Sequence, residues 1–257
     1  MDWKGKRMNK IRKISILIPC YNEEKGIGKV IDGIPHAFLK KIGYKAEVIV
    51  VDNNSIDKTA EFAKEKGAIV IHEAKIGKGN AMVTGFNSVS TDTDIVVMID
   101  GDNTYKTKEL YRVIEPLANN FCDAVVGSRL GGKIKKHSIK FQNRVVNWMF
   151  TFMVRQIYRA NTTDVLSGYF AWKRKKLMNL TPHLNAEGFG IEMDMITKMK
   201  KLGFEIYSVP VTYDQREGES KIDALKDGLM ITWVFLKNLT WKPISKQSTA
   251  VEAGLQI

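Results

Sequence analysis

Five short runs dominated by Val and Ile, most of them followed by a helical pattern, constrain this chain more than any other feature. They are residues 13–19 (KISILIP), 46–52 (AEVIVVD), 68–72 (AIVIH), 94–100 (DIVVMID) and 123–128 (DAVVGS). Four are apolar almost without interruption, which suits parallel strands covered on both faces. Helical periodicity fills residues 23–34, 57–66, 79–89 and 107–119, with Asp57 and Thr107 expected to cap two of these helices. Strand alternating with helix predicts an α/β fold, a mostly parallel sheet with helices on both sides. Ligands of such sheets bind beyond the carboxyl ends of the strands.

After Gly132 the alternation stops. A basic amphipathic helix is expected over 138–158, then the stretch TTDVLSGYFAW, a helix at 191–202, a strand at 205–213, a polar loop DQREGESK and a last helix from Ile222. No composition shift marks a boundary. The expected organisation is a basic tail at 1–13, one domain at 14–240 and a tail at 241–257. Within the domain, 14–128 would form one half and 129–240 an elaborated second half.

Charge narrows the partners. Lys and Arg total 40 against 28 Asp and Glu, a formal net charge of +12. The excess is local, in MDWKGKRMNKIRK at the start and KIKKHSIKFQNR at 133–144. Such runs are solvated surface, or they face an anionic membrane, a phosphorylated substrate or nucleic acid. The cysteines, Cys20 and Cys122, lie in apolar surroundings, so buried reduced thiols and a cytoplasmic setting are expected. The longest apolar runs, Trp148–Val154 and Leu229–Leu236, fall far short of the ~20 residues of a spanning helix. No transmembrane segment is expected.

Acids sit where the strands end. Asp52 closes the second run, Asp100 and Asp102 the fourth, and Ser128-Arg129 the fifth, so parallel strands put them on one rim. Two Asp at i and i+2, with Gly101 between, bring both carboxylates within reach of one ion. A hard cation such as Mg²⁺ or Mn²⁺ takes one or two carboxylates plus substrate phosphates. The plainer alternative is a turn whose Asp and Asn residues bond their own backbone. Asp52 is placed to accept hydrogen bonds from a base or ribose.

The motifs, in order, are Pro19-Cys20-Tyr21-Asn22-Glu23, Val51-Asp52-Asn53-Asn54-Ser55, Gly77-Lys78-Gly79-Asn80-Ala81, Asp100-Gly101-Asp102 and Gly127-Ser128-Arg129. Asp164-Val165-Leu166-Ser167-Gly168-Tyr169, Gly188-Phe189-Gly190-Ile191-Glu192 and Arg216-Glu217-Gly218-Glu219-Ser220-Lys221 follow. This series resembles the inverting family 2 glycosyltransferases of GT-A fold, and among them the dolichyl- and polyprenyl-phosphate sugar synthases. The resemblance implies a nucleotide-sugar donor held by Pro19, Tyr21, Glu23, Asp52, Asn54, Lys78, Asp100 and Gly101, with Mg²⁺ or Mn²⁺ on Asp100 and Asp102. It implies an acceptor phosphate held by Arg129, Arg144, Ser167, Arg216 and Lys221, and a catalytic set of Asp102, Arg129, Arg216 and Glu192. Many relatives carry a second acid where this chain has Asn53, so base and ribose contacts are expected to differ in detail.

A phosphate monoester is largely ionised near neutrality, with a second pKa of about 6. As an acceptor it needs cations to hold it in line more than a general base, and guanidinium forks suit its oxygens. Glu192 and Asp194 open the helix GIEMDM, where the dipole favours negative charge; either that is their whole role or one orients the acceptor or sugar. For a lipid acceptor, FQNRVVNWMFTFMVRQIY (141–158) is aromatic and Met-rich between cations. The last helix aligns Ile222, Leu225, Leu229, Trp233 and Leu236. Each face either lies in a membrane interface or packs on the sheet, core packing being the stronger expectation for the last helix.

The expected activity is transfer of GlcNAc or glucose from a UDP-sugar to dolichyl or polyprenyl phosphate, peripherally at the cytoplasmic membrane face. The alternatives are a GDP-mannose donor or a soluble or glycan acceptor and, more remotely, a nucleic-acid binder. The last would explain the net charge but not three strand-end acids, so no nucleic-acid partner is expected. The Gly-rich stretch at 77–85 lacks the Walker ending, and His36, His72, His137 and His183 share no ligand spacing.

Overall fold

The computed structural model describes residues 12–219, 221 and 223–243. Most of the expected basic tail at 1–11, Ser220, Ile222 and the chain from 244 onward lie outside the described residues. The first half contains β1 (Arg12–Cys20), α1 (Glu24–Asp32), α2 (His36–Lys41), β2 (Tyr44–Asp52), α3 (Thr59–Glu65) and β3 (Ile69–His72). It continues with α4 (Lys78–Ser88), β4 (Ile95–Met98), a 3-10 turn at Thr107–Glu109, α5 (Leu110–Ala118) and β5 (Ala124–Ile134). The second half adds α6 (Phe141–Tyr158), β6 (Phe170–Lys173), α7 (Arg174–Leu180), a 3-10 turn at Thr181–His183, α8 (Ile191–Lys201), β7 (Ile206–Tyr213) and α9 (Ala224–Thr240).

One seven-stranded sheet runs through both halves in the order β3-β2-β1-β4-β6-β5-β7. Only β6 is antiparallel to its neighbours, so β1, β2, β4 and β5 still end on one rim. The alternating burial of β1 shows why the runs are continuously apolar. Ile14, Ile16 and Ile18 join the core beneath α1 and α5. Leu17 faces the other way, into a core with residues of α4, α8 and α9. There Trp172 stacks on Phe170 (centroids 5.3 Å apart) and meets Phe86 edge-on (5.4 Å), all three fully buried. Burial of such side chains stabilises by roughly 1.5–3 kcal/mol each.

Three elements escape the periodicity: α2, β6 and α7. A strand of four residues, FAWK, is too short to show a period and runs directly into the cations of α7. Thr107 is not a helix cap; it opens a 3-10 turn and makes no capping hydrogen bond. Asp57 precedes the N-cap residue Lys58 and accepts from the Thr59 amide at 3.0 Å. The last helix also departs from core packing along its aligned face. Leu225, Leu229, Trp233 and Leu236 are all more than half exposed, and Ile231, Val234 and Phe235 supply the core contact instead. On α6, Trp148 and Phe152 stack at 6.0 Å and are likewise exposed. Cys20 and Cys122 are buried and unpaired. No described helix is long and apolar enough to cross a membrane.

Candidate active site

Each acidic strand end turns on an asparagine. Asn22, Asn54 and Asn103 take left-handed φ values of 53°, 62° and 60°, a conformation that Asn tolerates better than most side chains. The turns leave Glu23, Asp52 and Asp102 buried around the end of β1.

Asp52 is the clearest invitation to a ligand. Its Oδ2 lies 3.4 Å from His72 Nδ1, while its Oδ1 is buried with no partner among the described residues. An unpaired buried acceptor costs roughly 1–3 kcal/mol, which a ligand hydroxyl or N–H would offset. Asn53 points elsewhere: Nδ2 donates to the Glu73 and Lys75 carbonyls at 3.1 and 2.8 Å, and Oδ1 accepts from the Gly77 amide at 2.7 Å. A carboxylate could not donate either of the first two bonds, so an amide here ties down the loop that enters α4. Asn54 is exposed beside it. Pro19, Tyr21, Glu23, Lys78, Phe189 and Lys221 share the adjoining cleft.

Lys78, in the first turn of α4, joins Asp100 to α8. Its Nζ lies 2.8 Å from Asp100 Oδ1 and 2.7 Å from Glu192 Oε1. Burial disfavours the ammonium, but the two carboxylates outweigh it and hold Lys78 protonated, far above the ordinary lysine range. Burial likewise pushes the Glu192 carboxyl up, against the pull of Lys78. Asp194, two residues on, belongs to a different cluster: its carboxylate takes Lys198 Nζ at 2.7 Å and Asn238 Nδ2 at 2.8 Å, anchoring α9 to α8.

Asp102 accepts from the Thr104 hydroxyl at 2.6 Å and lies 3.6 Å from Arg216, which also holds Glu23 at 2.8 Å. Burial and then the charge of Asp100 raise the Asp102 carboxyl. Among the described residues no group of three or more acidic, His or Cys side chains could hold an ion alone. The Asp100–Asp102 pair nonetheless fits a Mg²⁺ or Mn²⁺ ion shared with a diphosphate. Its donors are hard oxygens, and Gly168 leaves the space against Asp100 that a Cβ would fill, only 1.9 Å from Oδ2.

Glu23 gives a pH signature. Burial outweighs the Arg216 guanidinium and pushes its carboxyl up to about 8. Since the folded value exceeds the unfolded one, this group's stabilisation is complete below the unfolded value, near 4.5. It is lost as pH rises through 8. Glu23→Gln keeps a neutral side chain, so its Tm relative to the parent should climb from pH 5 to pH 9. A pH-independent difference in thermal melts would contradict this.

The phosphate-binding candidates are placed differently from one another. Arg129 is enclosed: Nε and Nη2 each meet an Asp164 oxygen at 2.8 Å, and its guanidinium lies 5.4 Å over the Tyr213 ring. Arg144 stands exposed in the first turn of α6. Ser167 is fully buried, donating to the Gly127 carbonyl at 2.6 Å, so it lies beneath the rim rather than on it. Asp164, Asn147 and Phe189 were missed as site residues. Asp164 and Phe189 stand inside matched motifs, whereas Asn147 had no signal beyond being one of several polar positions on an amphipathic helix.

Residues 15–181 match the family described as Glycosyl transferase family 2. Glycosyltransferase AglJ of Haloferax volcanii is 33% identical over 224 residues, covering 85% of this chain and 69% of its own. The undecaprenyl-phosphate mannosyltransferase of Micrococcus luteus is 29% identical over 225 residues, 82% and 87% of the two chains. The fold is similar to that of glucosyl-3-phosphoglycerate synthase from Mycobacterium tuberculosis, crystallised with Mn²⁺, UDP and glucosyl-3-phosphoglycerate. The TM-score is 0.69 at 25% identity, covering 91% of this chain and 82% of that one. The motif order, the acidic rim, the GT-A architecture and these matches agree: the chain belongs to glycosyl transferase family 2 and is a glycosyltransferase.

Proposed function

We propose that the protein transfers a sugar, GlcNAc or glucose, from a UDP-sugar to a polyprenyl phosphate such as dolichyl phosphate, working peripherally at the cytoplasmic membrane face. One observation carries the reading: half-buried Asp100 and buried Asp102 share a rim with an Asp52 oxygen that has no partner among the described residues, with Lys78 and Arg216 among the acids. Asp52 takes the nucleoside, and Lys78 and Arg216 face the diphosphate. Asp100 and Asp102 would hold a Mg²⁺ or Mn²⁺ ion, whose charge would offset that of the leaving diphosphate. Arg129 and Arg144 orient the acceptor phosphate, whose ionised oxygen attacks the anomeric carbon as the UDP bond breaks, inverting the centre.

The acceptor is supported by the exposed apolar faces of α6 and α9, which suit a membrane interface. The name of the Micrococcus relative, a polyprenyl-phosphate enzyme, supports it too. The UDP donor rests on the synthase crystallised with Mn²⁺ and UDP. That relative's mannose keeps GDP-mannose as the alternative donor. The synthase's own product, a phosphoglycerate glucoside, favours a soluble phosphorylated acceptor as the second reading.

The test is transfer of labelled sugar from UDP-GlcNAc, UDP-glucose and GDP-mannose to dolichyl phosphate, with Mg²⁺, Mn²⁺ or chelator. Lipid-extractable label from a UDP-sugar, abolished by chelator, is expected. Label only from GDP-mannose would change the donor, and metal-dependent donor hydrolysis without lipid product would overturn the acceptor. In the same preparation the protein should float with anionic vesicles at low salt, and Leu229→Glu with Trp233→Glu should release it. Flotation unchanged by the pair would remove α9 from the membrane.

A further inference from the structure

The loop Asp164–Gly168 touches both halves of the site. At one end Asp164, with no exposed surface, accepts from Arg129 through Nε, Nη2 and the backbone N–H, each at 2.8 Å, and the Leu166 carbonyl takes Nη2 again. Among the described residues Arg129 Nη1 donates to no protein group. At the other end, Gly168 packs directly on the Asp100 carboxylate. Asn147 of α6 braces the loop from below: Nδ2 donates to Asp164 Oδ1 at 2.7 Å, and Oδ1 accepts from the Leu166 amide at 3.2 Å. Asn147 stands three positions after Arg144 on one helix face.

We propose that Asp164 and Asn147 are positioning residues that set the spacing between donor and acceptor phosphates: Asp164 fixes Arg129 so that Nη1 alone faces the acceptor, and Asn147 ties that fork to the helix carrying Arg144. The chemistry recommends this arrangement. A free arginine pays rotamer entropy each time it closes on a phosphate, whereas one clamped at Nε and Nη2 is already placed. A bidentate carboxylate partner is also the strong geometry for this pair. Because the same short loop abuts Asp100, a shift of Asp164 changes the donor-to-acceptor distance rather than either site alone. This inference rests on the acceptor being a phosphate at Arg129.

The test is steady-state transfer to dolichyl phosphate by Asp164→Glu and Asn147→Ala, beside UDP·Mn²⁺ affinity from calorimetry. Asp164→Glu keeps the buried charge but adds a methylene, displacing the fork by about 1 Å, which can cost ~10² in kcat/KM. Acceptor KM should rise and kcat fall in both variants, with UDP affinity within about twofold of the parent. Ser15→Ala, which removes a buried hydroxyl bonded to Glu47 and Thr93 near the start of β1, is the control for lost stability and should leave acceptor KM unchanged. Parental acceptor KM in Asp164→Glu, or an equal rise in Ser15→Ala, overturns the positioning role. No lipid transfer by the parent protein overturns the acceptor reading, and this inference with it.

Discussion

Asp102→Asn is expected to reduce sugar transfer by about 10³-fold at saturating donor, with little loss of fold. Removing one hydrogen-bond donor that stabilises a transition state typically costs ~10²–10³ in rate. Asp102 is asked to do more, because under the proposed function it is one of the two carboxylates that would hold the ion. The stability argument runs the other way. Asp102 is buried, 7% exposed, and faces the charge of Asp100, so its ionised form is disfavoured in the folded state. The amide can still accept from Thr104, as the carboxylate does at 2.6 Å. The thermal midpoint should therefore hold within a few degrees while UDP·Mn²⁺ affinity collapses. A variant retaining a tenth of parental kcat would take the ion away from Asp102.

Gly168→Ala should be nearly as damaging without altering a single charge. An added Cβ would lie 1.9 Å from Asp100 Oδ2 and 2.5 Å from its Cγ. Ordinary contact begins near 3.4 Å, so the carboxylate must retreat by more than 1 Å. Asp100 cannot do so alone, since Lys78 bonds it at 2.8 Å and is itself held by Glu192. Misplacement on this scale costs on the order of 10²-fold, read here in kcat together with donor affinity. Gly28→Ala on α1, where the new methyl meets only Lys66 Cε at 3.8 Å, should be neutral. Parental transfer by Gly168→Ala would mean that Asp100 has room to move and that its position is not critical.

Much of the architecture was legible because it depends on burial. A strand covered on both faces is apolar almost throughout, and the buried stretches of β1 and β2 and the whole of β4 announce themselves that way. Acids at the ends of such strands stand out against the background, so Asp52, Asp100 and Asp102 could be named before any geometry. What was hidden depends on pairing across the chain. Nothing local in FAWK says that it inserts between β4 and β5. The partner of Arg129 lies 35 residues away, and Asn147 reads as one of several polar residues on an amphipathic helix. The exposed face of α9 was misjudged because periodicity shows that a helix has an apolar stripe without showing what covers it. Here Ile231, Val234 and Phe235 occupy the core-facing side instead.

The place of β6 in the sheet has a consequence for how the chain acquires its shape during synthesis. Until residues 170–173 have emerged, β4 has a partner only in β1 and presents Ile95–Met98 as an open, wholly apolar edge. Such edges recruit other chains. β5 cannot close that edge, since its place is on the far side of β6. A nascent chain of roughly 130 residues therefore holds most of the sheet in a sticky, unfinished state, and long-range strand insertion of this kind is slow. Ribosome stalling or premature termination between β5 and β6 should yield aggregate rather than a soluble half-enzyme.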